Sequence, residues 1–441
     1  MECFALKRVP GWAIKKRFLI PMGIAVLLLL SGLGAALALH FSGSDKGGSV
    51  SSLESVTIRT IDTSTRETTR TKTRTVGPPK GNRRAQADKS CWNNFGGDAM
   101  RTLARPEARL GRPSKVLWSR RLHDLIEYPP SYCDGSLYVN LEHGGTLAID
   151  ARSGRTIWRR NTTGLMASTP AIACPRVFVT SYNGTVTAFR RSDGRLLWQF
   201  ETSAPIESSP VVVRGVVFVG GHDGKLYALR ARSGRPVWAY NTGGRINSSP
   251  SVVGCRVCIT NYNGLIVCVH RGNGHRIWAV QVRRDYLRYE SFYSSASSDG
   301  KRLFTVARTG KIVALSAASG RTLWTRGLGA LTYATPAVAG SRIFVGDMGG
   351  GFSAFRTTSG KLLWRDRVSG RILAHSLVVG NLVFFSTLEG DTYAARTVDG
   401  KIVWHIRGGR YSPGIATERH YYFSLKGRLV AYEGRFSKPR S

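Results

Sequence analysis

Ser153-Gly154-Arg155-Thr156-Ile157-Trp158 opens a phrase that the chain repeats six more times. The later versions are Asp193-Gly194-Arg195-Leu196-Leu197-Trp198, Ser233-Gly234-Arg235-Pro236-Val237-Trp238, Asn273-Gly274-His275-Arg276-Ile277-Trp278, Ser319-Gly320-Arg321-Thr322-Leu323-Trp324, Ser359-Gly360-Lys361-Leu362-Leu363-Trp364 and Asp399-Gly400-Lys401-Ile402-Val403-Trp404. With Trp118 ahead of the first version, the tryptophans fall 40 residues apart, except for 46 between Trp278 and Trp324. A fixed period of this length marks one supersecondary unit copied many times.

Each period holds three further strand signals. An apolar run follows a Ser/Thr-Pro pair at Pro170, Pro210, Pro250 and Pro336; a second run, such as Val216-Val217-Phe218-Val219, leads into a tight turn, and a third, such as Leu226-Tyr227-Ala228-Leu229, leaves it. Glycines occupy these turns, at Asn183-Gly184, Asp223-Gly224, Asn263-Gly264, Thr309-Gly310, Gly349-Gly350, Glu389-Gly390 and Lys426-Gly427. There they supply the positive φ that a short hairpin needs. Four antiparallel strands in about 40 residues is the period of a β-propeller blade. The final unit stops before its tryptophan strand, at Arg428-Leu429-Val430-Ala431-Tyr432-Glu433-Gly434, and Trp118 has no three-strand unit before it. The spacing therefore predicts an all-β, eight-bladed propeller over 91–441, closed by the Trp118 strand pairing with the last three strands so that no edge is left free.

The remaining residues divide by composition. Phe18 to Phe41 contains no charged residue and is long enough to span a bilayer. Lys7, Arg8, Lys15, Lys16 and Arg17 precede it, which predicts a cytoplasmic basic segment at 1–17, a transmembrane anchor at 18–41 and a propeller outside the cell membrane. Ala36-Leu37-Ala38 resembles a signal-peptidase site, so a secreted form is the alternative. Residues 42–90, with Thr69-Arg70-Thr71-Lys72-Thr73-Arg74, read as a disordered Ser/Thr/Arg-rich linker.

The 441 residues carry 64 Lys and Arg against 27 Asp and Glu, a net charge of +37. Fifteen basic and six acidic residues precede residue 91, so the propeller itself holds a net +28. This excludes an acidic solvating chain and leaves anionic partners open. Part of the excess is copied by the repeat, which places Arg155, Arg195, Arg235, Arg321, Lys361 and Lys401 directly after turn glycines. Outside a membrane the available anions are wall polymers, lipid headgroups and acidic protein segments; nucleic acid is not expected.

Seven cysteines occur, at 3, 91, 133, 174, 255, 258 and 268. Cys255-x-x-Cys258 with Cys268 and His270 has the elements of a metal site, but alternation along strands favours core positions or a disulfide. Cys133 and Cys174 stand at nearly equivalent places in successive repeats, where a bridge between blades is one option. Spacing leaves the pairing open.

The phrase Ala-x-x-x-x-Ser/Asp-Gly-Arg/Lys-x-x-Trp, as in Ala148 to Trp158 and Ala354 to Trp364, resembles the pyrroloquinoline quinone (PQQ) type of propeller repeat. Cys91-Trp92-Asn93-Asn94-Phe95-Gly96-Gly97-Asp98 is similar to the lead-in of that family. The resemblance implies that Trp118, Trp158, Trp198, Trp238, Trp278, Trp324, Trp364 and Trp404 dock each blade on the glycine of its neighbour. The family's Asp survives only at Asp150; Arg190, Arg230, His270, Ser316, Arg356 and Arg396 replace it, which predicts a girdle looser in hydrogen bonds.

The same resemblance covers quinone-dependent dehydrogenases and non-enzymatic envelope scaffolds, similar in architecture to BamB-like eight-bladed propellers. The dehydrogenases imply bound PQQ with calcium, a catalytic Asp and an adjacent Cys pair. No two cysteines here are adjacent, the loops after the Trp strands are short, and the acidic residues near them are chiefly Glu127, Glu207 and Glu290. The expectation is therefore no catalytic residue, no metal, no cofactor, and a membrane-anchored scaffold for envelope proteins or peptides. The six-residue insertion around Val282–Tyr293 contributes Arg283, Arg284, Tyr286, Tyr289 and Tyr293, and Arg245, Arg371 and Arg410 lie in other interblade loops. Together they form the candidate binding face, since Arg and Tyr suit stacking and bidentate contact.

Overall fold

The computed structural model describes residues 50–51, 58–59, 91–162, 164–425 and 427–436. Residues 91–436 form eight four-stranded antiparallel sheets arranged as the blades of a propeller. Blade 1 is built from Ser131–Cys133, Ser136–Leu141, Gly145–Asp150 and Thr156–Asn161, and blades 2 to 7 repeat that order outward from the axis. Blade 8 combines Ile415–Ala416, His420–Leu425 and Arg428–Phe436 with Leu110–Arg121 as its outermost strand. The register sets Ala431 opposite Trp118, so the ring closes between chain ends as the repeat count requires. No helix among the described residues is long and apolar enough to cross a membrane; the apolar run 18–41 and the segment 1–17 lie outside them.

Strand alternation explains why each blade is buried on both faces. In blade 3, Val217, Val219, Tyr227 and Leu229 pack with Phe178 and Trp198 of blade 2, while Phe218, Leu226 and Ala228 pack with Val257 and Val267 of blade 4. Both sides of a middle strand thus face apolar neighbours, and the core is a stack of layers between sheets.

The repeated phrase makes the seam. Trp118 Nε1 donates to the Ala151 carbonyl of the next blade at 2.9 Å, and Trp158 does the same to Arg191 at 2.9 Å. Five further copies follow, from Trp198, Trp238, Trp278, Trp324 and Trp364. Each indole lies over a turn glycine: a Cβ on Gly194, at φ +70°, would stand 2.7 Å from the Trp158 ring. Trp404 has no such bond among the described residues and packs instead on Phe384, Phe423 and Tyr432, because blade 8 ends without the phrase.

The expected loosening at the replaced Asp positions is only partly found. Asp150 accepts from the Ser153 backbone and hydroxyl, at 2.7 and 2.5 Å. At the same place Arg190 pairs with Asp193, Arg396 with Asp399, His270 bonds Asn273 and Ser316 Oγ accepts from the Ser319 N–H at 3.4 Å, so four copies keep the turn clasped. A second seam contact comes from arginines two residues after the Trp. Arg160 Nε reaches the Gly194 carbonyl at 2.9 Å, Arg326 Nε reaches Gly360 at 3.1 Å, and Arg120 reaches Gly154 at 2.5 Å. Part of the arginine excess is therefore bound to backbone.

Within 42–90, Val50–Ser51 pairs with the outer strand of blade 3 and Ile58–Arg59 with that of blade 2. These two pairings depart from the expectation of a featureless linker. Outermost strands leave backbone donors and acceptors unpaired, and these two short strands meet them. The rest of 42–90 lies outside the described residues.

Candidate functional site

The loops from each outermost strand to the next innermost strand share one end of the propeller with the turns between second and third strands. That end is a funnel, and the lead-in segment closes its base. Trp92 bridges Tyr132 of blade 1, and the Ile172 N–H of blade 2 donates to the Asn93 carbonyl. Ala99, Met100, Thr102 and Leu103 accept in turn from Val252, Ser298, Val338 and Val378, which belong to blades 4, 5, 6 and 7. Ala104–Arg105 then adds a parallel strand to blade 7. To follow the ring this tightly, Arg101 and Leu103 take φ of 58° and 55°, an unusual conformation for side-chain-bearing residues that the surrounding bonds enforce.

Above this plug a hydroxyl chain ties the innermost strands together. Thr169 N–H donates to Ser209 Oγ at 2.9 Å, Ser209 N–H to Ser249 Oγ at 2.9 Å, Ser249 N–H to Ser295 Oγ at 2.8 Å, and Ser295 N–H to Thr335 Oγ1 at 3.0 Å. These are the Ser/Thr residues before the repeat's prolines and their counterparts in blade 5. The chain stops where His375, Pro413 and Pro129 occupy the equivalent positions.

At this asymmetric side lies a cavity of about 290 Å³, floored by Phe95 and walled by Tyr128, Tyr293, Tyr333, Tyr411 and His375. Phe95 meets His375 edge-on at 4.9 Å and Tyr128 at 6.3 Å. Burial pushes the Tyr128 and Tyr293 hydroxyls well above the usual tyrosine range, and burial alone drops His375 to about 3, so it stays neutral. Glu127 is the charged residue of the wall. Burial, then the charges of Glu207 and Glu142, pushes its carboxyl up to about 7.

Glu207 behaves differently although both carboxylates are largely buried. Burial raises it, but hydrogen bonds from His222 and Tyr182 and the charges of His222 and Arg245 outweigh that, leaving it below its ordinary value. Asn247 also donates to Glu207, and its Nδ2 lies 3.2 Å from His222 Nε2. The cluster is saturated around Glu207 and leaves Glu127 without a hydrogen-bond donor among the described residues.

The insertion forms a hairpin standing on the funnel rim. Arg283 pairs across it with Tyr289, and its guanidinium lies 5.3 Å from the Tyr289 ring. Asp285 Oδ1 accepts from the Leu287 and Arg288 backbones at the tip, and Arg288 Nε donates to Oδ2 at 2.9 Å. Glu290, 2% exposed, roots the base through Thr309 at 2.8 Å and Lys311 at 3.4 Å. Tyr286 and Leu287 at the tip are 89% and 85% exposed.

The expected binding face is therefore divided. Arg283, Arg284, Tyr286 and Tyr289 share the hairpin, whereas Tyr293 turns inward to the cavity. Arg245 lies over the Tyr262 ring at 5.3 Å. Arg371 pairs with Glu389 at 2.8 Å, and Arg410 Nε donates to the Leu388 carbonyl beside it at 3.3 Å. The rim positives are thus partly neutralised in place. Glu127, Glu207 and Glu290 all occur at this end, as their loops required.

The sequence reading singled out Glu127 and Tyr293 but not the cavity they share with Asn247, Tyr333, Tyr411 and His375, yet the repeat marks most of these positions. Glu127, Glu207, Asn247, Tyr293, Tyr333 and Tyr411 each stand four residues before an innermost strand. Glu127, Glu207, Asn247 and Tyr333 also stand nine residues after a Trp, and aligning the blades on their first strands adds Tyr293 and Tyr411, whose loops differ in length. The cysteine options also resolve. Cys91 is bonded to Cys133 and Cys258 to Cys268, so the suggested Cys133–Cys174 bridge is not formed and Cys174 is free and exposed. Cys258 and Cys268 are directly opposed across neighbouring strands, which is why they bond to each other instead of gathering around a metal.

Several solved structures share this architecture. BamB from Moraxella catarrhalis aligns with a TM-score of 0.61 at 16% identity, covering 74% of this chain and 99% of that one. A europium-containing methanol dehydrogenase gives 0.64 at 14%, covering 78% and 89%. The quinohemoprotein alcohol dehydrogenase from Comamonas testosteroni gives 0.64 at 14%, covering 80% and 82%. These likenesses concern the fold. No curated protein sequence matches the chain. The family model described as outer membrane protein assembly factor BamB matches residues 108–306 and 288–407, so the chain belongs to that family of PQQ-like repeat propellers.

Proposed function

We propose that this protein is a membrane-anchored, extracytoplasmic propeller that acts as a non-enzymatic scaffold, binding envelope proteins or peptides with the funnel rim. The observation that carries the reading is the hairpin tip, where Tyr286 and Leu287 project almost wholly into solvent between Arg284 and Arg288. Tyrosine and arginine are the residue types enriched among the anchors of protein interfaces. Leu165 and Leu331, exposed in other loops of the same end, extend the apolar rim. The family description, an assembly factor, supports the same reading.

The dehydrogenase-like neighbours make a quinoprotein the second reading. The wall of the axial cavity fits PQQ poorly. No Lys or Arg lines it, and its one charged residue is Glu127, whereas the quinone is a tricarboxylate. Calcium would need several oxygen ligands, and Glu207 is already occupied by Tyr182, Asn247 and His222. No step is assigned to the cofactor.

The test is site-specific photocrosslinking in cells, with the probe at position 286 and, as control, at Arg155 on the opposite end. Discrete adducts with envelope proteins from 286 and none from 155 are expected. Equal adducts at both positions, or none at either, would overturn the rim as the binding face. Stoichiometric PQQ uptake with dye reduction by purified protein would favour the second reading.

A further inference from the structure

The axial cavity has a character opposite to that of the whole molecule. The chain carries a net +37, yet the cavity wall contains no Lys or Arg and is made mostly of aromatic and hydroxyl side chains around one carboxyl. Basic groups stay outside it: Arg308 lies over the Tyr333 ring at 5.4 Å and Arg245 over Tyr262 at 5.3 Å. Tyr293 bridges these rings, edge-on to Tyr333 at 5.5 Å and to Tyr262 at 6.4 Å. Two polar groups are left without partners. Among the described residues, Glu127, partly open to solvent, has no hydrogen-bond donor, and Asn247 Oδ1, buried beside the cavity, has none either. The unmet demand is for hydrogen-bond donors and positive charge.

We propose that the axial cavity binds a small organic ammonium ion, paired with the Glu127 carboxylate and packed among the rings of Tyr128, Tyr293, Tyr333 and Tyr411. Aromatic rings attract a cation through their quadrupole, and the attraction strengthens when water is excluded. A volume of about 290 Å³ restricts the ligand to the small end of the usual pocket range. The site is separate from the rim hairpin, and its existence does not rest on the scaffold reading.

The ammonium should bind only where Glu127 is ionised. The charged or titratable groups nearest it are Glu207, Glu142, Tyr128, Tyr293 and His375, with Tyr182, His222, Arg245 and Arg308 behind them. His375 stays neutral, the two tyrosines stay protonated, and Glu207 stays ionised across the neutral range. With the Glu127 carboxyl titrating at about 7, the affinity for a cation should rise roughly tenfold between pH 6 and pH 8.

The experiment is calorimetric titration of the purified propeller-containing chain with n-butylammonium, tetramethylammonium and the peptide Gly-Lys-Gly, at pH 6 and pH 8. Binding of at least one at pH 8, about tenfold weaker at pH 6 and at least tenfold weaker in Glu127→Gln, is expected. Tighter binding of the peptide would assign the charge to a partner's lysine, and tighter binding of the free amines to a metabolite; both support the site. Tyr293→Phe serves as a folded control that keeps the ring and should retain most of the affinity. The proposal is overturned if none of the three binds wild type at pH 8, or if Glu127→Gln binds equally well.

Discussion

Arg101 Nε donates to the carbonyl oxygen of Pro250 at 2.8 Å, joining the lead-in to a residue 149 positions away near the axis. The same guanidinium reaches Ser209 at 2.9 Å and Phe95 at 2.5 Å, and it is fully buried. Burial lowers Arg101 to about 9, with Asp98 acting against the fall, so it remains charged at neutral pH. One side chain thus links the plug to blades 3 and 4. Replacing it with methionine keeps much of the volume but strands three carbonyls, each costing about 1–3 kcal/mol. Arg101→Met should lose about 3–5 kcal/mol in urea unfolding, far more than Arg155→Met on an exposed turn. A loss below 1 kcal/mol would show that the plug is not bound as described.

The Trp118 seam closes the ring, whereas the Trp404 seam lacks the glycine and carbonyl partners found at the other seven. Trp118→Ala should cost about 3–5 kcal/mol and loosen blade 8 from blade 1. Trp404→Ala removes aromatic contacts alone and should cost about half as much. Deleting Leu110–Arg121 leaves the edge of Arg428–Phe436 without its partner and should abolish cooperative melting. Thermal unfolding of the three variants gives the order directly.

What the sequence disclosed is what it repeats. Trp158 over Gly194, the closure by Trp118 and the turn glycines were legible because copying raises a local pattern above chance. Residues 92–105 occur once, and their path depends on positive φ at two ordinary residues and on backbone N–H groups supplied by six blades. No local pattern encodes that. The cavity stood between these cases. Glu127, Asn247 and Tyr333 stand at one ring position, each nine residues after a Trp, but their types differ, so no shared residue marks the position. Arg371 looked like a free rim cation because Glu389, its partner, lies in another loop.

Glu127 makes stability fall with pH. Its unfolded value is 4.5 and its folded value about 7. Below pH 4.5 both states hold the proton and there is no difference. Between the two values the unfolded state ionises first, so folding weakens as pH rises, and above about pH 7 the penalty is complete. Glu127→Gln removes the titration. The variant should match wild type at pH 4 and exceed it at pH 8 by about 1–2 kcal/mol, a range already reduced for partial solvent screening. An ammonium ligand at pH 8 should raise the melting temperature of wild type and leave the variant unmoved. Equal stability of the two proteins at pH 8 would mean that the carboxylate is better solvated than its surroundings indicate.

The rim hairpin separates binding from stability. Tyr286 and Leu287 bury almost nothing, so replacing both with alanine should change unfolding free energy by no more than about 0.5 kcal/mol. Its base is different: Glu290 is buried against Thr309 and Lys311, and Lys311 Nζ also donates to the Arg283 carbonyl at 2.7 Å. Glu290→Ala leaves the lysine without its carboxylate and should cost about 1–3 kcal/mol while freeing the hairpin. If the tip is an interface anchor, the double alanine variant loses envelope-protein adducts from a neighbouring probe at Arg284 without any shift in its melting curve. Partner capture that falls only in parallel with the melting temperature would instead place the contact elsewhere on the funnel end.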